Sequence, residues 1–341
     1  MLLLALGVSC GQGSFVPTRD DAAFQNPRLS RGVNVLGYDP IWESSGRGRF
    51  KAEHFKAIRE GGFDTLRVNL QPFKHMSGAP KFQPSDSWWH TTDWIVSNAL
   101  SAGLNVVLDL HEHEAFSKDA EGNKDRLLAF WRQVAPHFQD APSSVLFEIL
   151  NEPSGQLTPA LWNQYLAEAL AIIRASNPTR SVIIGPAFWN SIDHLDQLRL
   201  PDADRHIIAT VHYYTPMEFT HQGAPWAAEY KDLQGVDWQG TPRQQVAIAA
   251  DFQKAQDWAG KFHRPILLGE FGAYDKGDIA SRERYIRCVA RTAERLGWSW
   301  AYWQFDSDFI VYDISKGQWV EPIHRALVPT NGIAAFRASL R

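Results

Sequence analysis

VLFEILNEPSGQLTPALWNQYLAEALAIIRASNPTRSVIIGP (145–186) predicts a strand, a helix and a second strand in immediate succession. The first run, VLFEILNE, is apolar almost throughout, which is typical of a parallel strand covered on both faces. Thr158 and Pro159 suit the N-cap and first position of a helix, and apolar residues then recur at three- and four-residue spacing. A unit of this kind indicates a parallel sheet with helices packed on it.

The same alternation of short apolar runs and longer amphipathic segments continues along the chain from residue 31. The eight predicted strands are RGVNVLG (31–37), TLRVNL (65–70), NVVLDLH (105–111), VLFEILNE (145–152), SVIIGP (181–186), HIIATVHYY (206–214), PILLGEFG (265–272) and WSWAYWQF (298–305). Together they predict an α/β fold, a (β/α)8 TIM barrel that forms a single domain over residues 30–341. A doubly wound open sheet is the competing prediction, but Gly37-Tyr38-Asp39-Pro40 after the first strand does not form a phosphate-binding loop.

Residues 1–29 form a lead-in that differs from the rest of the chain. MLLLALGVSCG (1–11) resembles the end of a secretory signal that lacks its basic start, so we expect a secreted or periplasmic protein. Cys10 is a candidate site for a lipid anchor, although Gly7-Val8-Ser9 departs from the usual pattern before such a cysteine. The second cysteine, Cys288, lies in a helical run and is predicted to be buried.

Composition narrows the classes of partner. The formal net charge of -4 and the lack of a Lys/Arg run argue against nucleic acid, and no segment predicts a membrane-spanning helix. The 14 tryptophans are roughly three times the usual number, and indole faces stack on sugar rings as well as in protein cores. We therefore expect a carbohydrate substrate and a monomeric protein.

Polar residues close most of the predicted strands, at the edge where β/α barrels place their chemistry. They are Arg67 in strand two, His111 after strand three, Asn151 and Glu152 after strand four, His212 and Tyr214 in strand six, Glu270 in strand seven and Trp303 in strand eight. Each alone has a structural explanation as a hydrogen-bonding residue, but their joint occurrence on six strands predicts an active site.

Two of these residues, Glu152 and Glu270, carry carboxylates that are predicted to face each other across the barrel mouth. Such a pair suits double displacement at an acetal carbon, with one protonated acid and one ionised nucleophile. An ionised Glu270 would raise the pKa of Glu152, and Arg67 nearby would hold Glu270 in its charged form. This chemistry requires no cofactor and no metal.

Five motifs resemble glycoside hydrolase family 5, and the resemblance extends over residues 31–328. They are FEILNEP (147–153), VHYY (211–214), EFTHQGAPW (218–226), LLGEFGAY (267–274) and WAYWQF (300–305). The resemblance implies a retaining clan-A hydrolase with Glu152 as acid/base and Glu270 as nucleophile. It also implies that Asn151 binds the sugar 2-hydroxyl, that Arg67 and Tyr214 contact Glu270, that His111 and His212 line the cleavage subsite, that Trp303 forms its floor, and that His221 and Trp226 lie on the leaving-group side.

The substrate expected from the bacterial branch of this family is a cellulose-type or mixed-linkage β-1,4-glucan cut internally, and the alternative is a mixed glucanase and mannanase. The sequence departs from the family pattern at Gly37-Tyr38-Asp39 and at His111-Glu112-His113-Glu114. Both departures bear on whether glucan or mannan is the preferred substrate. Trp42, Trp88, Trp89 and Trp189 lie in or near loops that could extend a cleft, and Trp189, close after strand five, is favoured.

Two further hypotheses belong to other classes of function. His111 and His113 point the same way on an extended segment and could share a zinc ion. A barrel that only binds sugar would lack a carboxylate or the arginine, whereas Glu152, Glu270 and Arg67 are all present.

Overall fold

A computed structural model describes residues 28–329. Eight parallel strands close into a barrel in the order β1 to β8, each paired with its neighbour in sequence and β8 paired with β1. The strands are β1 Arg31–Val35, β2 Thr65–Leu70, β3 Asn105–Leu110, β4 Val145–Glu148, β5 Val182–Ile184, β6 Ile207–Tyr213, β7 Ile266–Phe271 and β8 Ser299–Tyr302. The predicted single-domain TIM barrel is confirmed, and the open-sheet alternative is wrong. The signal-like segment with Cys10 lies outside the described residues.

Helices occupy the connections between successive strands and follow the last strand, and the longer ones cover the outside of the barrel. They are α1 Ala52–Glu60, α2 Asp86–Ser101, α3 His113–Lys118, α4 Ala120–His137, α5 Pro159–Ser176, α6 Ala187–Asn190, α7 Met217–Thr220, α8 Pro242–Phe262, α9 Ile279–Arg295 and α10 Glu321–Leu327. A short two-stranded ribbon, β9 Tyr312–Asp313 and β10 Gln318–Trp319, precedes the last of them. None of these helices has both the length and the apolar character needed to cross a bilayer.

Helix α5 illustrates how local sequence sets the elements. The Thr158 side chain accepts a hydrogen bond from the Leu161 backbone N–H, and Pro159 occupies the first turn, where its missing N–H costs nothing. The apolar stripe of this helix is buried against the barrel as its spacing predicts. Helix α8 begins in the same way, with a reciprocal cap between Thr241 and Gln244.

Most of the strands end earlier than their apolar runs predict. Strand four was predicted to reach residue 152, whereas its ladder ends at Glu148. The chain then turns away from the sheet, and Glu152 adopts a left-handed backbone conformation with φ of 44°. Apolar character continues past the last ladder bond because the barrel mouth is still packed, so hydrophobicity alone overestimates strand length.

The inside of the barrel has two layers of different chemistry. An apolar cluster closes its amino-terminal end, formed by Leu29, Val107, Leu146, Ile183, Ile208 and Leu267. Buried polar side chains from several strands lie nearer the carboxyl ends, with Arg67 among them at 0% exposure. The apolar layer gives the polar layer a rigid base that excludes water. Cys288 is buried in α9, as predicted.

Candidate active site

Arg67 projects from the middle of β2 into the barrel and organises the polar layer. Its Nε and Nη2 bind the two carboxylate oxygens of Glu148 at 2.7 and 2.8 Å, which is the bidentate geometry of a guanidinium–carboxylate pair. Its Nη1 donates to Asn34 Oδ1 at 2.8 Å and to Glu270 Oε1 at 2.7 Å, and its Nη2 also donates to Asn151 Oδ1 at 2.8 Å. One fully buried cation therefore fixes four side chains from three other strands or their ends.

Glu270 lies near the carboxyl end of β7 and has a donor on each carboxylate oxygen. Arg67 binds Oε1, and the Tyr214 hydroxyl donates to Oε2 at 3.0 Å. Burial raises the pKa of Glu270 to about 7, and the nearby His212 and Arg67 oppose that rise. Both hydrogen bonds favour the ionised form, so among the buried carboxylates of the mouth Glu270 is well suited to carry the negative charge.

Glu152 lies after β4 and faces Glu270 across the mouth. Its Oε1 is 2.7 Å from His212 Nδ1, and neither Arg67 nor a tyrosine is hydrogen-bonded to it. Burial raises the pKa of Glu152, partly offset by His113 and Arg67. Selected side-chain atoms of Glu152, His212 and Glu270 lie within 4.8 Å of one another. The two carboxylates therefore occupy one small space in unlike settings.

The same three residues satisfy the spacing of a metal site among the described residues. Hydrogen bonding explains that spacing without a metal, because His212 bridges the two carboxylates at 2.7 and 3.6 Å. The guanidinium of Arg67 also lies 2.7 Å from Glu270, which places a permanent positive charge beside the space a cation would need. The spacing therefore needs no metal to explain it, and the arrangement suits proton transfer and displacement at an acetal carbon.

His111 and His113 both turn toward Asn151. The Asn151 amide nitrogen lies 3.3 Å from His111 Nε2 and 3.2 Å from His113 Nδ1, while Asp109 is 2.6 Å from His111 Nδ1. The intervening Glu112 points elsewhere and accepts the Phe73 backbone N–H at 2.6 Å. The two imidazoles that the zinc hypothesis pairs are thus held by an amide donor between them, an arrangement that positions Asn151.

Trp303 follows β8 and lies beside His111, with nearly parallel rings 5.5 Å apart. Tyr38 from the loop after β1 packs edge-on against Trp303 at 6.2 Å and is 58% exposed. Trp303 itself is only 7% exposed. The structure therefore places the predicted floor residue beside His111, with Tyr38 packed against it as an aromatic side chain open to solvent.

His221 and Trp226 lie beyond Tyr214 in the long segment after β6. The His221 ring packs against Tyr214 at 5.0 Å and is largely buried, whereas Trp226 is exposed and contacts Tyr274 at 4.9 Å. Both belong to the same side of the mouth as the Glu270 strand end.

The four tryptophans predicted to lie in or near loops differ sharply in exposure, and two of them, Trp88 and Trp89, lie in α2. Trp42 and Trp88 are buried and stack on each other at 6.2 Å, and Trp89 is partly buried against the core, so none of these three extends an open surface. Trp189 is 54% exposed and its backbone N–H donates to the Pro153 carbonyl, next to Glu152. Trp189, the tryptophan favoured from the sequence, is therefore the one of these four that is exposed at the barrel mouth.

Sequence reasoning missed part of the polar layer. Asp109 and Glu148 are fully buried acids inside β3 and β4, and Asn34 and Asn69 complete the network around Arg67. A signal existed, because Asp109 and Glu148 interrupt otherwise apolar strands. Burial raises the pKa of both carboxyl groups, and Arg67 opposes that rise.

A closed β/α barrel with two carboxylates facing each other at the carboxyl ends of its strands defines the class of barrel glycoside hydrolases. The family profile "Cellulase (glycosyl hydrolase family 5)" matches residues 27–308 of the chain. The protein belongs to this family and is a glycoside hydrolase, which confirms the family predicted from its motifs.

Curated relatives and solved structures are similar over most of the chain. Endoglucanase H of Acetivibrio thermocellus is 28% identical over 282 residues, which are 81% of this chain and 29% of that protein. Endoglucanase 3 of Fibrobacter succinogenes is 25% identical and covers 88% of this chain and 52% of its own length. The chain thus spans about half or less of the length of these two relatives.

Structures of Cel5A from Thermotoga maritima superpose closely on the barrel. The complex with cellobiose is 38% identical with a TM-score of 0.84, covering 89% of this chain and 99% of that chain. The complex of the same protein with mannotriose has the same identity, TM-score and coverage.

Proposed function

We propose that the protein is a retaining endo-β-1,4-glucanase that hydrolyses internal bonds of cellulose-type or mixed-linkage glucans by double displacement. The observation that carries this proposal is the pair of carboxylates within 4.8 Å in unlike settings, Glu270 held by two donors and Glu152 by an imidazole alone. Carboxylate oxygens that approach this closely are closer to the spacing of a retaining pair than to the wider spacing that admits a water, which favours retention.

The first step forms a covalent glycosyl-enzyme. The Glu270 carboxylate attacks the anomeric carbon as the bond from that carbon to the glycosidic oxygen breaks, and Glu152 gives its proton to the departing oxygen. In the second step Glu152 takes a proton from water, the resulting hydroxide bonds to the anomeric carbon, and the ester bond to Glu270 breaks. Glu152 is thereby reprotonated and Glu270 is again ionised.

Neighbouring residues suit supporting roles in both steps. Asn151 is oriented by Arg67 and by two imidazoles, so its amide is fixed where a sugar 2-hydroxyl would lie beside Glu270. Tyr214 and Arg67 stabilise the carboxylate that leaves in the second step. Trp303 offers an indole face for the sugar at the cleavage site.

A mixed glucanase and mannanase is the second candidate. The observation that favours it is that Cel5A of Thermotoga maritima, 38% identical, has been solved with mannotriose as well as with cellobiose. Mannose differs from glucose at the 2-hydroxyl, so tolerance depends on the space around Asn151.

Initial rates on four polymers test the proposal and separate the candidates. We expect hydrolysis of carboxymethylcellulose and lichenan, with galactomannan cut at least about tenfold more slowly, a difference of about 1.4 kcal/mol in transition-state binding. Comparable rates on glucomannan and galactomannan support the second candidate. Cleavage of an aryl β-glucoside with none of the polymers cut contradicts endo action, and a Glu270→Gln preparation controls for contaminating activity.

The pH dependence of kcat/KM follows from the two carboxyl groups of the mouth, Glu152 and Glu270. Glu270 must be ionised, so activity is lost as pH falls through its pKa, and a pKa raised to about 7 moves that loss to higher pH. Glu152 must be protonated, so activity is lost as pH rises through its pKa, which burial also raises. We expect a bell-shaped profile for the pair, with both limbs above the range of an exposed glutamic acid. An acid limb at the ordinary value of 4.5 contradicts this assignment.

A further inference from the structure

The turn after β5 has a backbone that ordinary side chains avoid. Phe188, Trp189 and Asn190 have consecutive positive φ angles of 59°, 58° and 55°. A left-handed conformation costs about 1–2 kcal/mol for each residue with a side chain, so three in succession need support from the surrounding structure. The Trp189 backbone N–H donates to the Pro153 carbonyl at 3.3 Å, which ties this turn to the residue after Glu152.

The conformation brings Asn190 into the barrel mouth against His212. Asn190 is fully buried, and its amide nitrogen lies 3.2 Å from His212 Nε2. Two glycines leave room for this contact, because a Cβ at Gly185 would collide with the Asn190 amide oxygen and one at Gly269 would lie 3.0 Å from His212 Nε2. The strained turn therefore places the Asn190 amide against the His212 imidazole.

His212 carries a single ring proton near neutral pH, because burial lowers its pKa to about 4. The charged groups that face it are Glu152, Glu270, Arg67, Glu148 and Asp109. When Nε2 accepts the amide N–H of Asn190, the ring proton is on Nδ1, where it donates to Glu152 Oε1 at 2.7 Å.

We propose that Asn190 is a positioning residue that holds His212 in its Nδ1–H tautomer and thereby keeps the acidic proton of Glu152 on Oε2, the oxygen that His212 does not contact. This inference rests on the proposed role of Glu152 as the general acid. In the opposite tautomer the Nδ1 lone pair faces Glu152 and accepts a hydrogen bond from its Oε1–H, which turns the acidic proton away from the leaving group. The turn at 187–190 thus acts on the reaction through an imidazole, without touching the substrate at Asn190.

The test compares two substrates that differ in their need for an acid. Cellotetraose has an alcohol leaving group that needs a proton, whereas 2,4-dinitrophenyl β-cellobioside releases a phenolate that does not. Asn190→Asp has nearly the same shape but only accepts hydrogen bonds, so it moves the ring proton to Nε2. We expect kcat/KM for cellotetraose to fall by about 10- to 100-fold, up to the lower end of the about 100- to 10,000-fold that general acid catalysis supplies, and the rate constant for dinitrophenolate release to change less than about threefold.

The same variant should also displace the basic limb of the cellotetraose profile. With the ring proton on Nε2, Nδ1 accepts a hydrogen bond from protonated Glu152 and the new carboxylate adds negative charge nearby, so the pKa of Glu152 rises and activity is lost at higher pH than in the wild type. Asn190→Gly keeps the positive φ without the amide and should reduce the cellotetraose rate selectively, by a smaller factor. Nitrogen NMR of the histidine rings reports the tautomer of His212 directly.

Phe188→Gly is the matched control, since Phe188 lies in the same turn with a similar φ and packs on His194, at 4.0 Å between rings. It should leave both substrates within about twofold of wild type. Equal losses on both substrates in Asn190→Gly, or an unchanged ratio and pH profile in Asn190→Asp, overturn the inference. If wild type cuts neither substrate, the proposed function fails instead.

Discussion

Glu270→Ala should lower kcat for glucan hydrolysis by about four orders of magnitude or more, while oligosaccharide binding stays within about tenfold of wild type. The reason is that Glu270 is the proposed nucleophile, whose carboxylate Arg67 and Tyr214 hold in place by hydrogen bonds. Removing the side chain deletes the bond-forming atom but not the surfaces that bind sugar. Steady-state rates on carboxymethylcellulose and calorimetric titration with cellotetraose measure the two quantities.

Azide distinguishes the roles of the two carboxylates. In Glu270→Ala a small anion can occupy the vacated space and attack an activated β-cellobioside directly, so the product should be the α-glycosyl azide. In Glu152→Ala the covalent intermediate still forms from that substrate, and azide should then yield the β-glycosyl azide. If Glu270→Ala gives the β-glycosyl azide and Glu152→Ala the α-glycosyl azide, the roles of the two carboxylates are reversed. If Glu270→Ala retains normal activity, Glu270 is not the nucleophile.

Arg67→Lys should cost about 3–5 kcal/mol in the free energy of unfolding, the usual loss when one partner of a buried ion pair is disrupted. One ammonium cannot reproduce the bidentate contact with Glu148 and the separate contacts with Glu270 and Asn151. We also expect kcat to fall by about 100-fold, because Glu270 loses a directed donor. The pKa of Glu270 should rise, so the acid limb of the pH profile should move to higher pH.

Arg174→Lys is the control for this substitution. Arg174 also forms a two-point pair, with Asp204 at 2.6 and 3.2 Å, but it lies partly exposed and away from the mouth. The substitution should lower the free energy of unfolding by about 1 kcal/mol and leave kcat unchanged. Urea unfolding and rates on lichenan measure both variants. Equal losses of stability and of kcat in the two variants would contradict the role of Arg67 in organising the polar layer.

The barrel was predictable because its strands are covered on both faces, so nearly continuous apolar runs mark them in the sequence. The residues that face the mouth were predictable too, since polar groups such as Glu270 recur at the ends of six such runs, a joint occurrence that separate structural roles do not explain. Tyr214 and Arg67 followed from the same pattern and from the family motifs, and the structure places both against Glu270.

The remaining part of the site depends on geometry that has no local sequence signal. The direction in which Glu148 points inside β4 is set by barrel closure, and its partner Arg67 is 81 residues away in sequence. The left-handed turn ending at Asn190 contains no glycine, although asparagine tolerates this conformation better than most residues. Phenylalanine and tryptophan before it do not predict such a turn at all.

The uneven exposure of the tryptophans gives the protein two separable optical signals. All 14 lie within the described residues, and Trp189 and Trp226 are 54% and 53% exposed while the others are buried or half-buried. A water-soluble collisional quencher such as iodide reaches chiefly these two indoles. Shielding them from iodide reports occupancy of the rim, whereas unfolding exposes the remaining indoles and shifts their emission to the red. Ligand binding and loss of structure can therefore be distinguished in one unlabelled sample.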